Sequence, residues 1–166
     1  MPINKIMLIA LVGLAMLFTL FFFDNSKPTP TVEHTETVRH VLGKATSPGV
    51  LTTAVYFEIV NTDEIDWVLI GGNTDIAENV EIHEHALIDG LTQMRKIDSI
   101  TIKKQSSLLF EPGGYHIMLI GLKKQLRSDE KINLSLQFQN REQEDLIVDI
   151  VDKISEKDLN HELHHY

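Results

Sequence analysis

Residues 131–151 read KINLSLQFQNREQEDLIVDIV, and this stretch decides the fold class. Apolar side chains occupy every second position in both of its halves: Ile132, Leu134, Leu136 and Phe138, then Leu146, Val148 and Ile150. Because successive side chains of a strand point to opposite faces of a sheet, this period of two predicts two half-buried β-strands. The same alternation at Val55, Phe57 and Ile59 predicts a third strand.

Further short segments have the composition of strands. They are residues 35–42, 66–71, 78–84, 91–97, 107–111 and 115–121. Turn-forming residues separate them, as at Asp89-Gly90 and Pro112-Gly113-Gly114. Many short strands with frequent turns favour an all-β sandwich or a small barrel. We therefore predict one β domain over residues 33–152.

The N-terminal stretch has the character of a membrane-spanning or signal helix. Residues 6–23 read IMLIALVGLAMLFTLFFF, without a charge. As a helix they would span about 27 Å, close to the hydrocarbon thickness of a bilayer. Lys5 precedes the run, which favours export of the remainder. Residues 1–23 are thus a signal anchor or a signal peptide, and the missing A-x-A cleavage site favours the anchor. Residues 24–32 form a linker, and the domain is expected to be periplasmic or otherwise extracytoplasmic, anchored to the inner membrane.

Composition excludes several classes of function. The 166 residues include 15 Lys and Arg against 24 Asp and Glu, a formal net charge of -9. Binding of nucleic acid is disfavoured, since phosphate neutralisation needs clustered positive charge. The sequence contains no cysteine, which excludes disulfides, thiolate metal sites, a cysteine nucleophile and a lipid anchor on cysteine. Any metal must be held by His, Met, carboxylate or backbone groups.

Side chains with metal-binding chemistry concentrate in one part of the domain. Its two methionines are Met94 and Met118, and Met118 lies two residues after His116. That spacing places His116 and Met118 on one face of a strand. His83 follows Ile82, which takes the core side, so His83 faces away from the core. Singly, each such methionine is typical core filler and each histidine a solvated residue. Together, imidazole and thioether without thiolate suit Cu(I).

The spacing of these residues is more specific than their composition. The pattern His-x10-Met-x21-His-x-Met is met without a gap by four residues: His83, Met94, His116 and Met118. The flanking words are VEIHEHALIDGLTQMRKID at 80–98 and EPGGYHIMLIGLKKQL at 111–126. In these features residues 33–152 resemble the periplasmic copper chaperones of the PCuAC type. The resemblance implies a cupredoxin-like Greek-key β-sandwich or barrel with an exposed Cu(I) site on those four residues. It also implies copper delivery to the dinuclear centre of cytochrome c oxidase, through its copper-bearing subunit or its assembly factors.

One position departs from the family pattern. The residue after the first histidine is often Met in the family and is Glu84 here, so an auxiliary thioether is missing. His85 follows on the same strand face as His83. It is either an alternative or supporting ligand or, more simply, an exposed side chain.

The tail at residues 153–166 is polar and rich in histidine. His161, His164 and His165 would share one face of a helix. Imidazoles beside carboxylates suit Cu(II), so these histidines are candidates for an auxiliary Cu(II) site. A solvated tail without metal is the alternative.

The combined pattern predicts a metal carrier rather than an enzyme, since no nucleophile elbow and no H-E-x-x-H helix is present. One alternative is a copper-sequestering or resistance protein, which would bind copper without delivering it. The other is a metal-free, membrane-anchored interaction domain, which would bind no Cu(I). Because histidine must lose its proton to bind a metal, we expect the Cu(I) affinity to weaken as the pH falls through the histidine range.

Overall fold

Strands supply almost all of the regular structure. The computed structural model describes residues 37–88 and 90–159. Its strands are β1 (Val38–Lys44), β2 (Thr52–Asn61), β3 (Trp67–Asn73), β4 (Asn79–Ile88), β5 (Leu91–Ile97), β6 (Ile100–Ile102), β7 (Ser106–Phe110), β8 (His116–Ile120), β9 (Lys131–Phe138) and β10 (Glu144–Val151), and its short helix is α1 (Glu156–Leu159). The prediction of an all-β domain is confirmed for these residues.

Strand boundaries differ from the prediction where pairing, and not alternation, decides them. β5 has the predicted bounds of 91–97. β4 continues past the predicted end at residue 84 because residues 84–88 pair with β5 in a hairpin. β6 was not predicted, since three residues are too few to display a period of two.

The sheet order places β5, β4 and β8 side by side. The order is β5-β4-β8-β2-β1-β10-β9-β3-β6, and β7 pairs with the second half of β2. The strand pairs are antiparallel apart from β1 with β10, which is parallel. β8 therefore lies between β4 and β2, and β5 is an edge strand beside β4.

One side of each central strand packs into a shared apolar core. Val55, Phe57 and Ile59 of β2 are fully buried, and Phe57 stacks on Phe110 with ring centroids 4.4 Å apart. Burying a side chain of this size contributes about 1.5–3 kcal/mol. Ile117 and Leu119 of β8 are fully buried in the same cluster. Since side chains alternate along a strand, the residues between them project from the opposite face.

Three predicted features lie outside the described residues. These are the membrane or signal segment at 6–23, the linker at 24–32, and the tail histidines His161, His164 and His165. Within residues 37–88 and 90–159, no helix is long and apolar enough to cross a bilayer. The described strands run from Val38 to Val151, inside the predicted domain of residues 33–152.

Candidate metal site

Strand register gathers the ligand-type side chains on one face of β5, β4 and β8. His83 of β4 stands directly opposite His116 of β8. His85 of β4 stands directly opposite Met94 of β5. Residues opposite each other in antiparallel strands have side chains on the same face. Ile82 and Ile117 are buried on the other face, as the sequence predicted.

A tight turn fixes where β8 begins. The Gly114 amide donates a hydrogen bond to the Glu111 carbonyl at 3.0 Å, and Gly113 between them has φ of 84°. Proline at the second position and glycine with positive φ at the third are the features of a type II turn. The turn directs the Gly114 carbonyl at the site, where it accepts a hydrogen bond from the His85 amide at 3.3 Å.

His116 and Met94 bring a ring nitrogen and a thioether sulfur, both able to bind a metal, close together. His116 Nε2 lies 3.1 Å from Met94 Sδ, and His116 Nδ1 lies 3.2 Å from the Gly114 carbonyl oxygen. His116 is only 2% exposed although it faces away from the core. Met94 lies against its ring, and the rings of Tyr56 and His85 lie 6.1 and 5.3 Å from it between centroids.

A neutral His116 ring can donate a hydrogen bond either to the Gly114 oxygen or to the Met94 sulfur, but not to both. Burial lowers the pKa of His116. The hydrogen bond to Gly114 raises it in part, and the nearby His85 and His83 lower it, so that the net shift is downward. A neutral imidazole carries one N–H, whereas His116 has two acceptors beside it, the Gly114 oxygen and the Met94 sulfur. With the proton donated to Gly114, the Nε2 lone pair faces the sulfur lone pairs. A soft cation bound by both atoms from one side would accept both lone pairs.

His83 is oriented by a carboxylate and has one unused nitrogen. Its Nε2 donates to Glu81 Oε2 at 2.8 Å, and Lys96 Nζ donates to the other oxygen of Glu81 at 2.9 Å. These two hydrogen bonds hold the pKa of Glu81 below its ordinary value. His83 Nδ1 is buried and has no hydrogen-bond partner in the described part of the chain. A carboxylate on one ring nitrogen and a free second nitrogen is the usual arrangement of a metal-binding histidine.

Met118 and His85 lie on different strands and differ in exposure. Met118 is half-buried on the same side of β8 as His116, and lies opposite Glu81 of β4 and Ala54 of β2. His85 is exposed, with its ring 5.3 Å from that of His116, compared with 5.8 Å for His83. Across the described residues, no three His, Asp or Glu side chains stand at metal-binding spacing.

Glu84, which follows His83 on β4, stabilises the hairpin. It pairs directly with Arg95 across β4 and β5, and Arg95 Nε donates to Glu84 Oε1 at 2.6 Å. Met94 precedes Arg95, so this ion pair helps to fix the register that places Met94 opposite His85.

Three groups around the predicted ligands were not predicted from the sequence: Glu81, Tyr56 and the Gly114 carbonyl. Glu81 had a readable signal, because its spacing of two from His83 puts both on one strand face. Tyr56 and Gly114 had none, because strand pairing and turn geometry bring them to His116.

Comparison with known proteins places the chain in a family. The sequence profile described as "Putative lipoprotein LpqE-like" matches residues 37–150. The chain belongs to the LpqE-like family. It is 33% identical over 87 residues to "Putative lipoprotein Lxx21020" from Leifsonia xyli subsp. xyli, covering 52% of each chain. It is 28% identical over 95 residues to an uncharacterized protein, RP573, from Rickettsia prowazekii, covering 57% of this chain and 52% of that one. The LpqE-like chain thus spans about half the length of the curated relatives it matches.

Solved structures share the fold of the LpqE-like chain. The copper-bound PCuAC domain from PmoF2 matches with a TM-score of 0.58 and 20% identity, over 68% of this chain and 89% of that one. The apo PCuAC domain from PmoF1 matches with 0.60 and 19%, over 70% and 92%. The solution structure of CuI-DR1885 from Deinococcus radiodurans matches with 0.59 and 23%, over 70% and 78%. The chain therefore has the all-β fold of PCuAC domains, as the sequence resemblance implied.

Proposed function

We propose that this LpqE-like protein is an extracytoplasmic copper chaperone that carries Cu(I) as its cargo on His83, Met94, His116 and Met118. The observation that carries the proposal is the 3.1 Å approach of His116 Nε2 to Met94 Sδ, with a neutral imidazole that lacks a proton for that contact. The unpartnered His83 Nδ1 supplies a second imidazole donor on the strand next to His116.

The donor set selects the metal and its oxidation state. Two imidazoles and two thioethers are neutral, soft to intermediate ligands that suit Cu(I) over Zn²⁺, Mg²⁺ or Ca²⁺. The Gly114 carbonyl holds the His116 ring, and Glu81 holds the His83 ring. Such partners set ring orientation before the metal arrives, which strengthens binding.

Exposure of one ligand supports delivery in preference to permanent storage. Met94 is 47% exposed on edge strand β5, whereas His116 is buried. A donor atom of an acceptor protein would reach the ion from the Met94 side and replace the thioether first. We propose the dinuclear copper centre of cytochrome c oxidase, or one of its assembly factors, as the acceptor. The copper-bound PmoF2 domain and the Cu(I) form of DR1885 support copper as the cargo through their common fold.

The descriptions of the relatives support a location outside the cytoplasm, since the family and the Leifsonia protein both carry the description "Putative lipoprotein". This sequence has no cysteine to carry a lipid. We propose that residues 6–23 anchor it to the inner membrane in place of a lipid.

Two measurements on the full chain test this function. An anaerobic competition titration is expected to give stoichiometric Cu(I) binding. The Cu(I)-loaded protein is then mixed with an apo copper-binding domain of cytochrome c oxidase, and copper is expected to appear on the acceptor after separation. Binding without transfer would favour a sequestering protein. Absence of Cu(I) binding would overturn the proposal in favour of a metal-free interaction domain.

A further inference from the structure

His85 has the surroundings of a metal ligand, although the four-residue pattern does not include it. Its ring lies nearer to His116 than the ring of His83 does, with centroids at 5.3 against 5.8 Å. It stands directly opposite Met94 across β4 and β5. Its backbone amide is tied to Gly114, so its Cα is held beside the start of β8.

All three histidines of this face have one ring nitrogen beside a protein acceptor. The Nδ1 atoms of His116 and His85 lie 3.2 and 3.4 Å from the same Gly114 oxygen, and His83 Nε2 donates to Glu81. In each ring the second nitrogen remains for another partner. A backbone carbonyl or a carboxylate on one nitrogen is the usual setting of a histidine that binds a metal with the other.

We propose that His85 is a third imidazole ligand, which enables this site to hold Cu(II) as well as Cu(I). The inference rests on the proposed copper site and extends it to a second oxidation state. Cu(I) is satisfied by thioethers, whereas Cu(II) prefers nitrogen and oxygen donors in a tetragonal arrangement. With His85, the face offers three imidazoles, and the oxygens of Glu81 lie beside His83.

Two side chains of the site, His85 and Met94, can replace one another as ligands when the oxidation state of the metal changes. His85 and Met94 are both exposed, whereas His116 is buried. The His85 contact with Gly114 is long at 3.4 Å, so rotating its ring loses little. Since no three of the acidic or histidine side chains described stand at metal-binding spacing, His85 must turn toward His116 to bind. Met94 then withdraws, because a thioether contributes little to Cu(II).

The test compares Cu(II) and Cu(I) binding by matched full-length variants. His161, His164 and His165 are replaced by Asn in every sample, so that the tail does not compete for Cu(II). One equivalent of Cu(II) is added, and nitrogen couplings in the electron paramagnetic resonance spectrum count the imidazoles. His85→Asn is compared with His40→Asn. His40 lies on β1 with φ of 53°, a conformation that Asn tolerates well.

We expect three coupled nitrogens in the parent and two in His85→Asn, with Cu(II) affinity lowered at least tenfold. Cu(I) affinity should change less than Cu(II) affinity, and His40→Asn should change neither. An unaltered Cu(II) spectrum and affinity in His85→Asn would overturn the inference, as would a parent that binds no Cu(II). If the parent also fails to bind Cu(I), the proposed function itself is wrong, so the two failures are distinguishable.

Discussion

The β9–β10 hairpin and the β4–β5 hairpin are built from similar strands but differ in what holds them. In β9 and β10 the apolar side chains alternate into the core, with Leu134 at 1% and Val148 at 0% exposure. At the outer end of β4–β5, Leu87, Leu91 and Met94 are 75%, 65% and 47% exposed. The first hairpin stabilises the domain, whereas the second presents side chains to solvent.

Backbone pairing and exposed ion pairs hold the β4–β5 hairpin. Cross-strand contacts join Glu84 to Arg95 and Glu81 to Lys96, and both basic partners are more than half exposed. Exposed ion pairs of this kind contribute about 0.2–1 kcal/mol each. Few buried contacts and exposed hydrogen bonds are typical of regions that open locally at low cost. A ligand on such an edge is well placed to leave the metal during transfer.

The largest expected effect comes from shortening a leucine in each hairpin. Leu134→Ala should lower the free energy of unfolding by about 2–5 kcal/mol, because it leaves a cavity in the core. Leu91→Ala should lower it by less than about 0.5 kcal/mol, because the side chain is mostly in water. Urea denaturation of both variants measures the difference. Equal losses would contradict the assignment of stability to the β9–β10 hairpin.

Replacing the exposed sulfur should separate copper binding from stability. Met94→Leu keeps the apolar bulk and removes the thioether. We expect Cu(I) affinity to fall by about 100-fold, because losing a ligand should cost at least as much as losing a hydrogen-bond partner of a ligand, which costs about 10- to 100-fold. The urea midpoint should stay where it is in the parent. Anaerobic Cu(I) competition and urea denaturation on the same samples test both parts, and an unchanged Cu(I) affinity would remove Met94 from the site.

Removal of the carboxylate behind His83 should have a smaller effect. Glu81→Ala frees the His83 ring to rotate, and Cu(I) affinity should fall by about tenfold. Lys96→Ala is the matched control, because it breaks the other ion pair of Glu81 and leaves the His83 hydrogen bond in place. Competition titrations of the two variants should therefore differ. If Lys96→Ala weakens binding as much as Glu81→Ala does, the Lys96–Glu81 ion pair, and not the hydrogen bond from His83, accounts for the effect.

The smallest effect concerns a carboxylate near the β9–β10 turn. Asn140 donates to the Asp66 carbonyl, and hydrogen bonds from the Lys104 amide and then the Lys103 ammonium hold the pKa of the Asp66 side chain below its ordinary value. The contribution of ionised Asp66 to the free energy of unfolding is therefore fully present above the unfolded-state pKa of about 3.9. It is lost as the pH falls through the lower folded-state pKa. Asp66→Asn should flatten this part of the pH dependence. Urea denaturation between pH 3 and 5 tests it, and identical curves would contradict the assignment.

The same two hairpins explain how much of the structure could be predicted. The strands of residues 131–138 and 146–150 were readable because burial of one face imposes alternation on the sequence. β5 was found from its flanking turn, although its side chains are almost all exposed. The far end of β4 was missed, because pairing with β5 extends it and no apolar pattern marks that pairing.

At the site, the sequence predicted which residue types would gather, but not how they are held. Residue spacing alone put His116 and Met118 on one face. The position of His83 opposite His116 comes from the strand register, which the spacing does not reveal. The place of His85 beside His116 depends on the Gly114 carbonyl, whose direction comes from the turn at 111–114. Such a contact joins distant parts of the chain and leaves no local signal.

We propose that the exposed edge of the sheet binds Cu(I) through imidazole and thioether together. X-ray absorption spectroscopy of the full chain loaded with one equivalent of Cu(I) tests this most directly, since sulfur and nitrogen scatter differently at the copper edge. We predict a mixed shell of nitrogen and sulfur that loses sulfur in Met94→Leu. A shell of nitrogen and oxygen alone, or one that Met94→Leu leaves unaltered, would show that the thioether of Met94 does not bind the metal.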